Sequence, residues 1–230
     1  MFHNGCFQDV NDLFMHTHVT SRHRCASPDD RQRAGIEGKN KSSMVLNRSR
    51  STTRRIGRAL ATSGLALYGV IILIDPGFAL IDNVNLPIHE TGHLVFSPFG
   101  ELITALGGTL FQLIVPALFI GYFLKQRDQF AASVALWWVA ENLWNIAVYV
   151  ADAQEQALPL VGGGEHDWAF ILAELDVLQQ GARIAAMLRV AGTLLFVVAI
   201  VWGYASAASE GDAADAEASE SSSIASDSPK

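Results

Sequence analysis

Cysteine is scarce in this chain, and over long stretches so is charge. The 230 residues include two cysteines, Cys6 and Cys25, both near the N-terminus. They form neither a disulfide framework nor a CxxC metal pair. No internal repeat is present, which sets aside solenoids and other repeat architectures. Asp, Glu, Lys and Arg are absent from residues 102–124, 190–209 and 59–74, while 129–151 hold a single charge, Glu141. The first of these uncharged runs in chain order continues past Asp75 and Pro76 into "GFALI". A helix that crosses a bilayer needs about 20 mostly apolar residues. Several such runs in one chain exclude an ordinary soluble core and predict a multi-pass integral membrane protein.

The net charge of −7 conceals an asymmetry. Residues 1–58 carry eleven basic and five acidic side chains, residues 59–205 four basic and twelve acidic, and the last 25 residues one basic and six acidic. A basic segment ahead of the first span predicts a cytoplasmic N-terminus. Basic flanks of this kind are routine beside membrane spans, so no nucleic-acid partner is implied. His3, His16, His18 and His23 could bind a metal together with the cysteines, but a disordered polar leader is the simpler reading of residues 1–58. Met44 is an alternative start, because "MVLNRSRSTTRRIGRAL" forms a compact basic lead-in. No small-residue cleavage site follows "TRRIGRA", so the first span reads as an uncleaved anchor.

The expected fold is an all-α membrane protein with about four transmembrane helices, near 59–80, 102–124, 129–151 and 190–209. A short extra helix follows the first span, and both termini are expected to be disordered. Three regions result: 1–58 basic and polar, 59–209 the helical membrane domain, and 210–230 an acidic Ser/Ala-rich tail. The short helix begins near "DNVNLP", with Asn85 able to cap and Pro87 tolerated in a first turn. It ends before Pro98. "LGGT" at 106–109 offers small residues where helices can approach closely. Residues 152–181 read as a loop with a Gly-rich turn, "VGGGEHDW", and an amphipathic helix from Trp168 to Leu178. Counting spans puts this loop and the short helix on the same side of the membrane, the non-cytoplasmic one.

The short helix carries "LPIHETGHLVF", residues 86–96. His89 and His93 are four apart and so project from one face, one turn above the other. Two imidazoles at that spacing can share Zn²⁺ at about 2.0–2.1 Å each. Glu90 lies about 100° around the helix from His89, badly placed as a ligand but able to act as general base on zinc-activated water. Gly92 keeps the helix surface bare between the ligands. Ionisable groups inside a membrane segment are expensive and point to function. A catalytic zinc site needs a third protein ligand and an open fourth position. Residues 44–230 contain only one other histidine, His166, in the loop expected on the same side. His166 is therefore the favoured third ligand, with Asp167 as its orienting partner or as the alternative ligand, and Glu165 a weaker competitor.

The third span adds "WWVAENLWNIAVYVAD". Asn142, Asn145, Tyr149 and Asp152 fall at i, i+3, i+7 and i+10, a polar stripe with Glu141 at its edge. Such residues can make interhelical hydrogen bonds. They can also line a hydrated path to the metal, with Asn142, Asn145 and Asp152 contacting substrate or orienting ligands and an asparagine stabilising charge on a tetrahedral intermediate. Trp137, Trp138 and Trp144 read as packing or interface anchors.

His89-Glu90-x-x-His93 in a membrane-embedded helix followed by further spans resembles the site-2 protease class of intramembrane zinc metalloproteases. The resemblance implies peptide-bond cleavage in or beside a membrane, with His89 and His93 as zinc ligands and Glu90 as general base. That class takes its third ligand from the Asp of a Leu-Asp-Gly or Asn-Pro-Asp-Gly motif in a later span. Neither motif occurs here, and the "HDW" loop is the substitute. The expected activity is a membrane zinc hydrolase whose partners are lipid and a membrane-protein or peptide substrate. The alternative is a non-enzymatic binding or assembly protein with a structural metal or polar site. A small transporter is the weaker third option, since neither repeats nor paired broken helices are seen.

Overall fold

Wherever the sequence runs apolar without charge, a computed structural model of the protein is helical. The structure describes residues 28–77, 79–158 and 166–226. Cys6, Cys25, the four N-terminal histidines, the Gly-rich turn at 161–164 and Glu165 lie outside the described residues. By contacts the chain divides into Met1–Ser43, helical over its described part, and Met44–Lys230, which holds everything discussed below.

The elements are α1 (Pro28–Ile74), α2 (Asp82–Phe96), a 3₁₀ turn (Ser97–Phe99), α3 (Glu101–Lys125), α4 (Gln129–Ala151), α5 (Asp167–Glu174), a second 3₁₀ turn (Leu178–Gln180) and α6 (Gly181–Ser226). Four stretches are long and apolar enough to cross a membrane: Val45–Ile74, Glu101–Lys125, Gln129–Ala151 and Leu178–Ser209. Among the described residues the protein is thus an all-helical membrane protein of four spans plus two shorter helices, α2 and α5. Its outward faces agree, with Leu67, Leu118, Leu194 and Val201 among many large apolar side chains left exposed.

The boundaries follow local chemistry. The first span stops at Ile74 rather than near residue 80, because Pro76 disfavours helical backbone at the residue before it. Asp82 accepts from the Ala79 amide at 2.6 Å and so secures the turn into α2. Helix α2 therefore starts earlier than Asn85, which sits buried inside it instead of capping it, and Pro87 lies within the helix. Its 15 residues reach about 22 Å, still short of a bilayer core of about 30 Å. The α3–α4 turn is tight. Arg127 takes a left-handed conformation (φ 60°), and the Asp128 amide reaches back to the Phe123 carbonyl at 2.9 Å, a Schellman-type stop. Asp128 then caps α4 by accepting from the Ala131 amide at 3.0 Å.

Helix α4 is the centre of the bundle. Trp137, Ala140 and Trp144 pack against Ile72 of α1 and Phe196 and Ala199 of α6. One turn or two further on, Ile146, Ala147 and Val150 pack on Leu172 of α5 and Ala185 of α6. Glycines permit the closest crossings. A Cβ on Gly92 would collide with the Gly107 carbonyl, and one on Gly107 would lie 2.7 Å from the Phe96 Cβ. The α2–α3 contact is thus made backbone to backbone at the "LGGT" segment, as small-residue interfaces allow.

Candidate metal centre

Helix α2 presents His89 and His93 on one face, with ring centroids 4.7 Å apart and planes at 80°. Helix α5 brings Asp167 to them from its first turn. The Asp167 Oδ2 lies 3.3 Å from His89 Nε2 and 3.4 Å from His93 Nε2. The three donor atoms all lie within 4.8 Å of one another, so His89, His93 and Asp167 could hold a metal ion. A tetrahedral zinc with bonds of about 2.0–2.1 Å separates its ligands by about 3.3–3.4 Å. Both carboxylate–imidazole distances match that edge.

The proton positions are set from outside the trio. The carbonyl of Thr104 can only accept, so His93 donates from Nδ1 to it at 2.8 Å. For His89 the constraint comes along a chain of amides that starts at the Asp82 carboxylate. Asp82 Oδ1 accepts from Asn145 Nδ2 at 2.9 Å, which turns Asn145 Oδ1 toward Gln112 Nε2 at 3.0 Å. Gln112 Oε1 is then the atom facing His89 Nδ1 at 3.1 Å, and His89 must donate to it. In its neutral form each imidazole therefore has its proton on Nδ1 and turns a bare Nε2 toward the carboxylate. Outer partners of this kind fix tautomer and ring orientation at metal-ligating histidines. Three lone-pair atoms facing one point repel one another unless a proton or a metal cation lies among them.

Gly108 makes room for His89, since a Cβ there would sit 2.5 Å from Nε2. Asp167 is steadied by Tyr149, whose hydroxyl donates to Oδ2 at 3.5 Å and accepts from the Asp167 amide at 3.3 Å. Farther in, Asn85 donates to Glu141 Oε2 at 2.8 Å and to Asp82 Oδ1 at 3.4 Å, and accepts from the Trp138 indole at 2.8 Å. Burial pushes the Asp82 carboxyl above the usual carboxylate range, opposed by its hydrogen bonds from Ala79, Asn85 and Asn145.

The favoured third ligand, His166, is not part of the trio. It is the N-cap of α5, where Nδ1 accepts from the Ala169 amide at 3.1 Å. Its buried ring stacks on Tyr149 at 4.1 Å, and Nε2 faces Asp152 Oδ2 at 3.4 Å. A ring committed to the cap cannot also turn to α2, while the next residue, already in the helix, does. The structure therefore brings Asp167, the alternative ligand, to the histidines.

The polar stripe of α4 is divided. Asn145 and Tyr149 face the site. Asn142 does not line the cavity there; it is fully buried and donates to the Trp138 carbonyl at 2.9 Å. Asp152 lies beyond the last turn of α4 and accepts from the Ala157 and Leu158 amides at 2.9 and 3.1 Å, which ties the following loop. Gln112, Thr104 and Asp82 were not singled out in the sequence. Gln112 had a visible signal as the one amide in a charge-free run, and Asp82 as an acid beside the motif.

All of this opens on a cavity of about 880 Å³ bordered by α1, α2, α3, α4 and α5. Glu90 lines it, is exposed, and makes no hydrogen bond or ion pair among the described residues. No protein-family profile, characterised protein or solved structure matches the chain.

Proposed function

We propose that the protein is a membrane-embedded zinc-dependent hydrolase, a metallopeptidase that cleaves a peptide bond in or beside the membrane. The observation that carries this reading is the convergence of two imidazole Nε2 atoms and one carboxylate oxygen, with both Nδ1 protons already bound elsewhere. Two nitrogens and one oxygen form a donor set of catalytic zinc sites, which keep the fourth position open. Zinc held there would supply Lewis acidity for a carbonyl oxygen and for water.

The chain's own residues account for the remaining roles. Glu90, on α2 beside His89 and free at the cavity wall, accepts the proton of the attacking water and passes it to the leaving amine. Tyr149 holds the Asp167 carboxylate, and Asn145 with Gln112 holds His89. The apolar wall of the cavity, including Ile72, Leu86, Trp144 and Phe170, accommodates a substrate that is itself membrane-borne. The resemblance of His89-Glu90-x-x-His93 to the site-2 protease class supports the same assignment. The excess of basic residues ahead of residue 59 supports a cytoplasmic N-terminus.

A non-enzymatic metal-binding or assembly protein is the second reading. It is favoured by the lack of any hydrogen bond from Glu90 to the ligands among the described residues. Two measurements on protein purified in lipid nanodiscs separate the two. Zinc content is expected near one ion per chain and lost in His89→Ala. Glu90→Gln is expected to keep the zinc and to lose cleavage of reporter peptides. Zinc without cleavage in the wild-type protein favours the second reading, and unchanged metal content in His89→Ala removes the site altogether.

A further inference from the structure

The C-terminal end of α4 and the start of α5 meet at a second polar group, made of Tyr149, Asp152 and His166. Helix α5 has eight residues, about 12 Å. A helix so short is not stable alone and takes its shape and place from what it packs on. Its seat is the end of α4. Leu172 packs with Val150 and Ala153, and Gln154 donates to the Leu178 carbonyl, beyond the far end of α5, at 3.0 Å. Asp167 is the first residue of the helix, so the direction of its carboxylate follows from where the helix begins.

That beginning is set by His166. Its Nδ1 accepts from the Ala169 amide at 3.1 Å, so the neutral ring carries its proton on Nε2. The side chain is fully buried, and Nε2 faces Asp152 Oδ2 at 3.4 Å. This is longer than a good hydrogen bond, but Nε2 has no other partner among the described residues. A buried N–H left without an acceptor is costly, which ties the ring to Asp152. Asp152 is itself held from the other side, where the Ala157 amide donates to Oδ1 at 2.9 Å and the Leu158 amide to Oδ2 at 3.1 Å. Tyr149 stacks on the His166 ring with centroids 4.1 Å apart. Its two hydroxyl contacts with Asp167, at 3.3 and 3.5 Å, are too long to fix the carboxylate alone.

We propose that Asp152 is a positioning residue of the metal centre. By accepting from His166 it fixes the start of α5, and so places the Asp167 carboxylate beside His89 and His93. The proposal rests on the reading of these three residues as a metal centre. In a purely structural role, Asp152 would contribute to stability and leave metal binding untouched.

A double-mutant cycle in zinc affinity separates the two, with the full-length protein in nanodiscs and a competing fluorescent chelator. Asp152→Asn keeps one oxygen for a loop amide but cannot also accept from the other amide and from His166. It is expected to weaken zinc binding about tenfold, the lower end of the effect of disturbing a ligand's support. His166→Asn keeps the cap and loses the Nε2 proton. It is expected to weaken binding by a similar factor, too little to strip the metal during purification. In the His166→Asn background, Asp152→Asn is then expected to cost about twofold or less, because the link is already broken. The visible spectrum of the cobalt-loaded protein is expected to change in each single variant as the carboxylate shifts. If Asp152→Asn does not fold, Asp152→Ser, which still offers one acceptor to the loop, takes its place in the cycle. Wild-type zinc affinity with an unchanged cobalt spectrum in Asp152→Asn overturns the proposal, even where the thermal midpoint falls. Equal losses in both backgrounds also overturn it, since Asp152 would then act without His166. Absence of zinc from the wild-type protein would instead remove the metal centre itself, and this role with it.

Discussion

His89 lies against Gly108, so closely that a methyl group on that glycine would stand 2.5 Å from Nε2 and 2.7 Å from the two neighbouring ring carbons. The Nε2 edge of the imidazole thus has a fixed wall against it. Gly108→Ala is expected to displace the ring and to lower zinc affinity by about 10–100-fold, the range found when a ligand's support is disturbed. Competition against a fluorescent zinc chelator measures it. An affinity equal to wild type would mean that the ring is held by other contacts.

The chain from Asp82 through Asn145 and Gln112 ends at the same ring. Gln112→Leu removes the acceptor for His89 Nδ1 and is expected to weaken zinc binding by a similar factor of about 10–100. Gln112→Glu retains an acceptor at that position and should recover most of the affinity. If the two variants bind zinc equally, the Nδ1 hydrogen bond does not set the tautomer.

Asp167 and His166 are neighbours with different tasks. Asp167→Asn is expected to lose bound zinc on purification. His166→Asn preserves an N-cap acceptor and should keep it, while His166→Ala costs about 1 kcal/mol of stability through the lost cap. Metal analysis and thermal unfolding of the three variants check the assignment, and zinc loss in His166→Asn would return the role of ligand to the histidine.

Gly92 faces the backbone of α3, which cannot rotate aside as a side chain would. Gly92→Ala is expected to destabilise the protein by about 1–3 kcal/mol, the usual cost of overpacking, and to separate His93 from Thr104. A lowered midpoint of thermal unfolding, together with weaker zinc binding, is the expected pair of results. Weaker zinc binding at unchanged stability would show a purely local effect.

Much of the architecture could be read before the structure, because a membrane span announces itself by what it omits. The charge-free run at 102–124 and the run at 129–151, charged only at Glu141, became α3 and α4 with ends shifted by one residue or none. The pair His89 and His93 was equally legible, since i and i+4 share a helical face whatever surrounds them. The third member of the trio was not. His166 and Asp167 differ by one position, and only the start of α5 decides which of them caps the helix and which points toward α2. Gln112 escaped notice for another reason: a neutral amide barely alters a hydropathy pattern, and its partners lie 23 and 33 residues away. Asn142 and Asp152 fit a stripe by numbering, but one packs into the bundle and the other falls beyond the end of the helix.

The three candidate ligands are divided between α2 and α5, with two membrane-spanning helices between them in the chain. A ribosome delivers these elements in order, N-terminal first. The motif at 89–93 must therefore wait through the synthesis of α3 and α4 before Asp167 exists to complete it. A chain cut anywhere before residue 167 has both histidines and no centre. Under the metal-site proposal α5 is therefore the element that completes the trio, and metal binding requires that α2, α3, α4 and α5 have all been made, with the last span still to follow.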